Sequence, residues 1–159
     1  MKSDLRAVVT GSFDPITIGH MDIIKRASSI FPSVYVVMFI NEEKKYMFTE
    51  EQRLDFIKKA CAPYKNVTVD FSRGMVVDYV RENNISVIIR GIRADGDVAY
   101  EKKMAEYNRT NSGVETLLLP ANPCHESISS TLVRNAIINK NMDALSNLLP
   151  KEILQDFVI

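Results

Sequence analysis

The 159-residue sequence has no tryptophan, only two cysteines and only two histidines. Cys61 and Cys124 lie far apart and belong to no CxxC or Cys/His cluster, so they predict neither a disulfide framework nor a structural zinc site. No apolar run approaches the length of a membrane span, and the N-terminal residues lack the hydrophobic region of a signal peptide. We therefore expect a cytoplasmic protein with no membrane partner and no metal ligands of its own.

Net charge is also lacking, because 20 lysines and arginines balance 20 aspartates and glutamates. A neutral chain has no overall field that would attract nucleic acid or an anionic membrane, so we expect no nucleic-acid partner. A phosphate-bearing ligand would have to be bound by a local site. The length and the apolar fraction of 46% are typical of one globular domain, predicted to span residues 1–159.

Short apolar runs alternate with amphipathic segments along the chain. The runs predict five β-strands, at 5–10, 33–40, 66–71, 85–90 and 115–120. Helical spacing follows the first strand and ends at Pro32, and Thr49 with Gln52 has the spacing of a capping box. Further helices are predicted at 75–83, 97–110 and 128–138, followed by short amphipathic pieces. This order indicates an α/β fold, a doubly wound parallel five-stranded sheet with three layers.

Ligands of such a sheet bind beyond the carboxyl ends of its strands. In this sequence the residues at those ends are rich in glycine, hydroxyl and basic side chains, at 11–20, 44–45, 72–74, 90–93 and 127–131. Such residues suit phosphate groups, which bind free amides at helix N-termini and guanidinium groups. The sequence therefore predicts a polyphosphate site at this edge.

His20 lies at the predicted start of the first helix. An imidazole there can donate a hydrogen bond to an oxygen whose charge grows in a transition state. A histidine at this position is more often a helix cap or a core residue, and that interpretation stays open. The turn before it matches neither the Walker motif nor the dinucleotide-binding GxGxxG.

The other basic residues also have ordinary explanations. Lys44 and Lys45 can be solvated charges of a loop. Arg90 ends the fourth strand, and Arg93 follows after a tight glycine turn. Both can bind phosphates or form salt bridges, the candidate partners being Glu101 and Asp97. The serines of "SISST" are first of all helix caps.

Several segments resemble a known family. "GSFDPITIGH" resembles the signature of the nucleotidylyltransferase superfamily, [HT]xGH, here Thr17–His20. "KKYMFTEEQR", "IIRGIRADGDVAYE", "NR" and "ISSTLVR" resemble the bacterial phosphopantetheine adenylyltransferase segments KKPxFxxEER, RGLRxxxDFEYE, NR and xSSSxVK. They occur in the expected order over nearly the whole chain. Thr10 and Tyr46 stand where that family usually has proline, and "CHESISST" lacks its usual aromatic run.

The resemblance implies a Rossmann-like nucleotidyltransferase fold and the reaction of ATP with 4'-phosphopantetheine, giving dephospho-coenzyme A and pyrophosphate. It also implies Mg²⁺ carried mainly by the ATP phosphates, and a homo-oligomer, a hexamer in the family. Two alternatives remain: a related nucleotidyltransferase that uses nicotinamide mononucleotide or CTP, and a non-catalytic nucleotide sensor.

The resemblance also implies roles for individual residues. The predicted catalytic residues are His20, Lys44 and Arg93. The residues expected to bind 4'-phosphopantetheine are Ser12, Lys44, Val76 and Arg90. Those expected to bind ATP are Ser12, Phe13, His20, Gly91, Ile92, Arg93, Glu101, His125, Glu126, Ser127, Ile128, Ser129, Ser130 and Thr131.

Overall fold

A five-stranded parallel sheet forms the centre of the molecule in the computed structural model, which describes residues 4–157 except the side chain of Asp95. Its spatial order is β3-β2-β1-β4-β5. All five predicted strands are present, with ends shifted by two residues at most. Their bounds are β1 Arg6–Gly11, β2 Ser33–Phe39, β3 Val67–Ser72, β4 Val87–Ile92 and β5 Glu115–Pro120.

Six α-helices accompany the sheet in the described part of the chain: α1 Ile18–Ile30, α2 Glu50–Cys61, α3 Val76–Glu82, α4 Asp95–Ser112, α5 Ser130–Ile138 and α6 Met142–Ser146. Short 3₁₀ segments cover Pro123–His125 and Lys151–Phe157. The predicted helices are confirmed, and the last segments are the expected C-terminal amphipathic pieces. Residues 1–3 and 158–159, which belong to the predicted N-terminal segment and domain span, lie outside the described residues. Between residues 4 and 157, no helix has the length and apolar character needed to cross a membrane.

The sheet is covered on both faces. Successive side chains of a strand point to opposite sides, and in β1 they enter two different cores. Ala7 and Val9 of β1 belong to the larger core, together with buried residues of α1, α2 and α5. Val8 belongs to a second core with Tyr79 and Val80 of α3. The predicted three-layer, doubly wound α/β fold is confirmed.

The first two helices begin with the same hydrogen-bonded cap. Thr17 is the N-cap of α1 and forms a capping box with His20, and Thr49 is the N-cap of α2 and forms one with Gln52. The box predicted from Thr49 and Gln52 is therefore confirmed. In α1 the position that glutamate or glutamine usually fills in this box is taken by a histidine.

β1 lies between β2 and β4, so the chain leaves it towards one side of the sheet and later returns to the other. Such a switch point opens a crevice at the carboxyl ends of the two neighbouring strands. Here those ends are Gly11 of β1 and Ile92 of β4.

Candidate active site

Two adjoining cavities occupy this crevice. The larger has a volume of about 510 Å³, and its wall includes the turn after β1, the start of α1, the end of β4 and the start of α5. The second has a volume of about 370 Å³ and extends towards α3 and α4. They share wall residues, so they form one cleft; the shared residues are Thr10, Gly11, Ser12, Lys44, Tyr46, Arg90, Tyr100 and Glu101.

His20 lines the larger cavity and also caps α1. Its Nδ1 accepts a hydrogen bond of 3.0 Å from the backbone N–H of Thr17, and its own N–H donates to the Thr17 hydroxyl at 3.3 Å. Because a backbone N–H can only donate, Nδ1 carries no proton, and in the neutral ring the proton is on Nε2. The cap therefore selects the tautomer that offers Nε2–H to a ligand, and the Phe13 ring packs edge-on at 5.0 Å between centroids.

The environment of His20 keeps it neutral. Burial, and then the positive charges of Arg90 and Arg93, lower the pKa of His20 from 6.5 to about 4. Each of these influences disfavours the imidazolium form. At neutral pH the cleft thus holds a hydrogen-bond donor between two cations, an arrangement that favours an anionic ligand.

Arg90 is held in an ion pair with Glu101, which is one of the interpretations left open by the sequence. Its Nη2 lies 2.8 Å from Glu101 Oε1, and its Nη1 donates to the carbonyl oxygen of Thr10 at 2.7 Å and to the hydroxyl at 3.1 Å. Glu101 is 5% exposed. Its Nε also donates to Glu101, at 3.0 Å to Oε2, so four of the five guanidinium N–H groups are used and one N–H of Nη2 is left for a ligand. The pair lies on the wall that the two cavities share.

Arg93 and Lys44 line the larger cavity from different segments of the chain. Arg93 donates through Nη1 to the carbonyl oxygen of Ile128 at 3.0 Å, and its backbone N–H donates to Asp97 at 3.1 Å. Lys44 is exposed, and it lines both cavities from the loop between β2 and α2. Neighbouring Lys45 lines only the larger one. Cations from separate elements therefore converge on one cleft.

The N-terminus of α5 closes the larger cavity. Ser129 caps the helix by accepting from the N–H of Leu132, and Ser130 donates to the carbonyl oxygen of Pro15 at 2.8 Å. The predicted residues Gly91, Ile92, Ile128, Ser129, Ser130 and Thr131 all line this cavity, as do Ser12 and Phe13. The helix start thus presents backbone amides and its positive dipole end to the cleft.

Four predicted residues lie elsewhere or have a different environment. Val76 lines only the second cavity, and neither cavity is lined by Glu126 or Ser127. His125 lines the larger cavity, but its Nδ1 is buried without a hydrogen bond, 3.9 Å from the Asp22 carboxylate. The structure therefore brings together most of the predicted set, with Val76 in the neighbouring compartment.

Sequence reasoning missed two residues that hold segments of the cleft wall together, Asp14 and Arg134. Buried Asp14 accepts hydrogen bonds from the N–H groups of Met47 and Phe48, at 2.9 and 3.0 Å. Arg134 donates to the Asp14 carbonyl oxygen at 2.7 Å and lines the larger cavity. Arg134 lies one helical turn after Ser130, so its place on the same face of α5 was a usable signal. The partners of Asp14 are too distant in sequence to have given one.

The donor set fits Mg²⁺ that arrives with a phosphate ligand. Among the side chains that the structure describes, no three of His, Cys, Asp or Glu are grouped as ion ligands. Two carboxylates of the cleft already have partners, since Asp14 binds backbone N–H groups and Glu101 pairs with Arg90. Mg²⁺ commonly keeps several waters and is held by substrate phosphates.

Comparisons with known proteins agree with this geometry. The family model described as cytidylyltransferase-like matches residues 8–136. Phosphopantetheine adenylyltransferase of Streptomyces coelicolor is 49% identical over 129 residues, 81% of each chain, and that of Frankia alni is 42% identical over 154 residues, 94% of each. The crystal structure of the lipopolysaccharide core biosynthesis protein from Thermoplasma volcanium GSS1 is similar in fold, with 22% identity and a TM-score of 0.54 over 74% of this chain and 96% of that one. The chain therefore belongs to the cytidylyltransferase-like family, and within it to the phosphopantetheine adenylyltransferases.

Proposed function

We propose that this chain transfers the adenylyl group of ATP to 4'-phosphopantetheine, forming dephospho-coenzyme A and pyrophosphate. The observation that carries the proposal is the convergence of His20, Lys44, Arg90 and Arg93 on one cleft with two adjoining compartments. Two compartments suit two phosphate-bearing substrates that must meet at a reacting phosphorus. The names of the relatives support the same reaction.

The reaction is an in-line displacement at phosphorus. A phosphate oxygen of 4'-phosphopantetheine attacks the α-phosphorus of ATP, and the bond from that phosphorus to the bridging oxygen of the β-phosphate breaks. The electron pair leaves with pyrophosphate. Because the nucleophile is already an anion, the protein has to align the groups and offset charge, and no strong general base is needed.

The proposed roles follow from chemistry and position. His20 donates Nε2–H to an oxygen of the α-phosphate, where charge grows in the transition state. Lys44, on the wall common to the two cavities, offsets charge between the attacking and α-phosphates. Arg93 and the N-terminus of α5 bind the β- and γ-phosphates, and Arg90 binds the phosphate of 4'-phosphopantetheine. Val76 offers apolar contact to the pantetheine arm.

The remaining assignments of the proposal come from the resemblance. Ser12 contacts both substrates, and ATP is bound by Phe13, Gly91, Ile92, Glu101 and the segment 125–131. Mg²⁺ on the ATP phosphates offsets their charge. The protein works in the cytoplasm, and it forms a hexamer. Light scattering on the purified protein would test the hexamer by its molar mass.

The test is direct detection of the product. Purified protein with ATP, Mg²⁺ and 4'-phosphopantetheine should give dephospho-coenzyme A by mass spectrometry and an equal amount of pyrophosphate. Nicotinamide mononucleotide and glycerol phosphate, each with ATP or CTP, should give no product. His20→Ala should form the product at least about a hundredfold more slowly. Lys58→Ala, at an exposed residue of α2 that lines neither cavity, should form it at the unmodified rate.

Each other outcome favours an alternative. Preference for nicotinamide mononucleotide or CTP would identify a related nucleotidyltransferase. Nucleotide binding without pyrophosphate release from any substrate pair would identify a sensor.

A further inference from the structure

We infer that Tyr46 and Arg53 form a positioning pair, which holds the loop that carries Lys44 against the turn that carries Ser12. The inference rests on the proposed function, because it assigns the pair to the placement of Lys44. The loop comprises residues 41–48, between β2 and α2. Neither Tyr46 nor Arg53 was a candidate site residue in the sequence.

Arg53 is an unusual buried cation. It extends from α2 and is 0% exposed, and its Nη1 donates a hydrogen bond of 2.8 Å to the carbonyl oxygen of Ser12. Its Nε and Nη2 are buried without a hydrogen-bond partner. A buried charge that lacks a carboxylate partner is costly, and a Met or Leu would fill this space at lower cost. Its contacts therefore point to a role in shaping the cleft.

Tyr46 supplies the compensating contact. The centre of the Arg53 guanidinium lies 3.8 Å from the centroid of the Tyr46 ring. A guanidinium at this distance is attracted by the negative face of an aromatic ring, most strongly where water is excluded. One arginine side chain thus joins the Ser12 turn, through a hydrogen bond, to the Lys44 loop, through a ring contact.

Tyr46 also organises the loop that contains it. Its hydroxyl accepts a hydrogen bond of 3.2 Å from the N–H of Asn41, and the N–H of Lys44 donates to the Asn41 carbonyl oxygen at 3.1 Å. The Lys44 ammonium nitrogen lies 5.9 Å from the centroid of the same ring. Tyr46 therefore bonds Asn41 through its hydroxyl and stacks on Arg53 through its ring, and the Lys44 ammonium group lies near the same ring.

Both ends of the loop have separate supports, which isolates the contribution of Tyr46. The N–H of Ile40 donates to the carbonyl oxygen of Ser72 just before the loop, and the Asp14 carboxylate accepts from the N–H groups of Met47 and Phe48, the last two residues of the loop. Loss of the ring would leave these ends in place and release the middle, where Lys44 lies.

Tyr46, but not Arg53, is a departure from the segment that the chain resembles, because KKPxFxxEER also ends in arginine. The family has proline at the position of Tyr46, and proline stiffens a loop by fixing its own φ. A tyrosine leaves φ free, so this loop needs another constraint. The ring contact with Arg53 and the hydroxyl bond to Asn41 provide it.

A double-mutant cycle tests the inference, with kcat for dephospho-coenzyme A as the readout. Tyr46→Leu should lower kcat by about tenfold with little change in either KM, because a misplaced cation weakens the transition state. Tyr46→Phe, the matched control, keeps the ring and should stay within about threefold of the unmodified protein. In a Lys44→Ala background Tyr46→Leu should change kcat by less than about twofold, because two residues acting through one interaction are not additive.

The comparison background is His20→Ala, where the tenfold effect should remain. Equal effects of Tyr46→Leu in the Lys44→Ala and His20→Ala backgrounds would overturn the inference, since a general structural disturbance is additive with both. An unchanged kcat for Tyr46→Leu alone would also overturn it. Arg53 stays unchanged in this series, because loss of a fully buried side chain endangers folding.

Hydrogen exchange supplies a readout that does not depend on the reaction. Amides of residues 43–46 should exchange faster in Tyr46→Leu than in Tyr46→Phe, and amides of α2 should not differ. The Asn41 amide is left out of the comparison, because both variants remove the hydroxyl that accepts its hydrogen bond. Equal exchange in the two variants overturns the positioning pair even if the protein makes no dephospho-coenzyme A. Absence of product from the unmodified protein, with faster exchange in Tyr46→Leu, would instead refute the proposed function alone.

Discussion

At the scale of a single residue, His20 caps α1 and, in the proposed mechanism, donates to a phosphate oxygen, and these two roles use different nitrogens. Nδ1 accepts from the N–H of Thr17 and completes the cap of α1, which leaves the proton on Nε2. The structural and the functional interpretations of this histidine are therefore compatible. The cap orients the ring and determines its tautomer, so that Nε2–H of the neutral ring is the donor in the proposed mechanism.

Substitutions can separate these two functions. His20→Ala removes both nitrogens, so we expect kcat to fall by about 10²–10³-fold, as for loss of an oxyanion-hole donor. It should also lower the free energy of unfolding by about 1 kcal/mol, the usual value of a lost cap. His20→Gln should restore stability and only part of kcat, because α2 already uses Gln52 at the same capping position.

The measurements are steady-state kinetics and urea denaturation of both variants. A kcat of His20→Ala within about threefold of the unmodified protein would remove the donor role, since such donors contribute far more. Equal stability of all three proteins would show that the hydrogen bond from Thr17 contributes nothing to α1.

At the scale of elements, the packing of α1 on β4 depends on Gly91. A Cβ atom at this position would lie 3.0 Å from Cγ1 and 3.3 Å from Cδ1 of Ile23, a buried residue one turn after His20. Only a residue without a side chain allows the first turns of α1 to come this close to the strand that carries Arg90. The cleft geometry is therefore sensitive to one methyl group.

Gly91→Ala should make this dependence visible. Because Ile23 has to move, we expect a loss of about 1–2 kcal/mol of unfolding free energy, as for overpacking, together with a lower kcat. The matched control is Gly96→Ala in α4, where a Cβ would meet nothing within 4 Å. That variant should be as stable as the unmodified protein or gain up to about 1 kcal/mol, since alanine favours a helix. Thermal unfolding and steady-state kinetics check both variants, and equal results for them would refute the steric explanation.

Elements were easier to predict than contacts, for a physical reason. Strand runs and the Thr49–Gln52 box are local, so sequence spacing alone located β1 to β5 and the start of α2. The approach of Arg90 to Glu101 spans 11 positions and was one of two open interpretations. The bonds from Arg53 to Ser12 and from Phe48 to Asp14 span 41 and 34 positions, and they form only when tertiary packing brings α2 and the segment before it to the turn after β1. No local pattern indicates such partners.

On the scale of the whole molecule, equal numbers of charges are unequally distributed. The chain has a formal net charge of zero at pH 7, yet Lys44, Arg90 and Arg93 line one cleft. Two carboxylates on its wall are engaged, Asp14 with backbone N–H groups and Glu101 with Arg90. Local cations in a neutral molecule favour a small polyanion over a long polyanionic surface, as the neutral composition had indicated.

This distribution predicts how stability depends on pH. The pKa of His20 is lowered to about 4 in the folded protein, mainly by burial, from 6.5 for a solvated histidine, so between these values the unfolded chain binds a proton that the folded protein does not. The unfolding free energy therefore falls as pH decreases from about 6.5 to about 4, by at most about 3 kcal/mol from this residue. Urea denaturation across this range should show the loss in the unmodified protein. His20→Gln keeps the cap without a titrating ring, so the difference between the two curves isolates His20.

Bound anions should reduce this loss. ATP placed against His20 favours the imidazolium and raises its pKa towards the unfolded value, so stability with saturating ATP should decrease less over the same pH range. The His20→Gln protein should gain no such pH-dependent protection beyond what ATP binding gives at pH 7. Parallel curves of unfolding free energy against pH for the two proteins without ATP would mean that the pKa of His20 is not lowered in the folded protein. An unchanged difference between the two curves when ATP is added would mean that His20 is not near the bound phosphates.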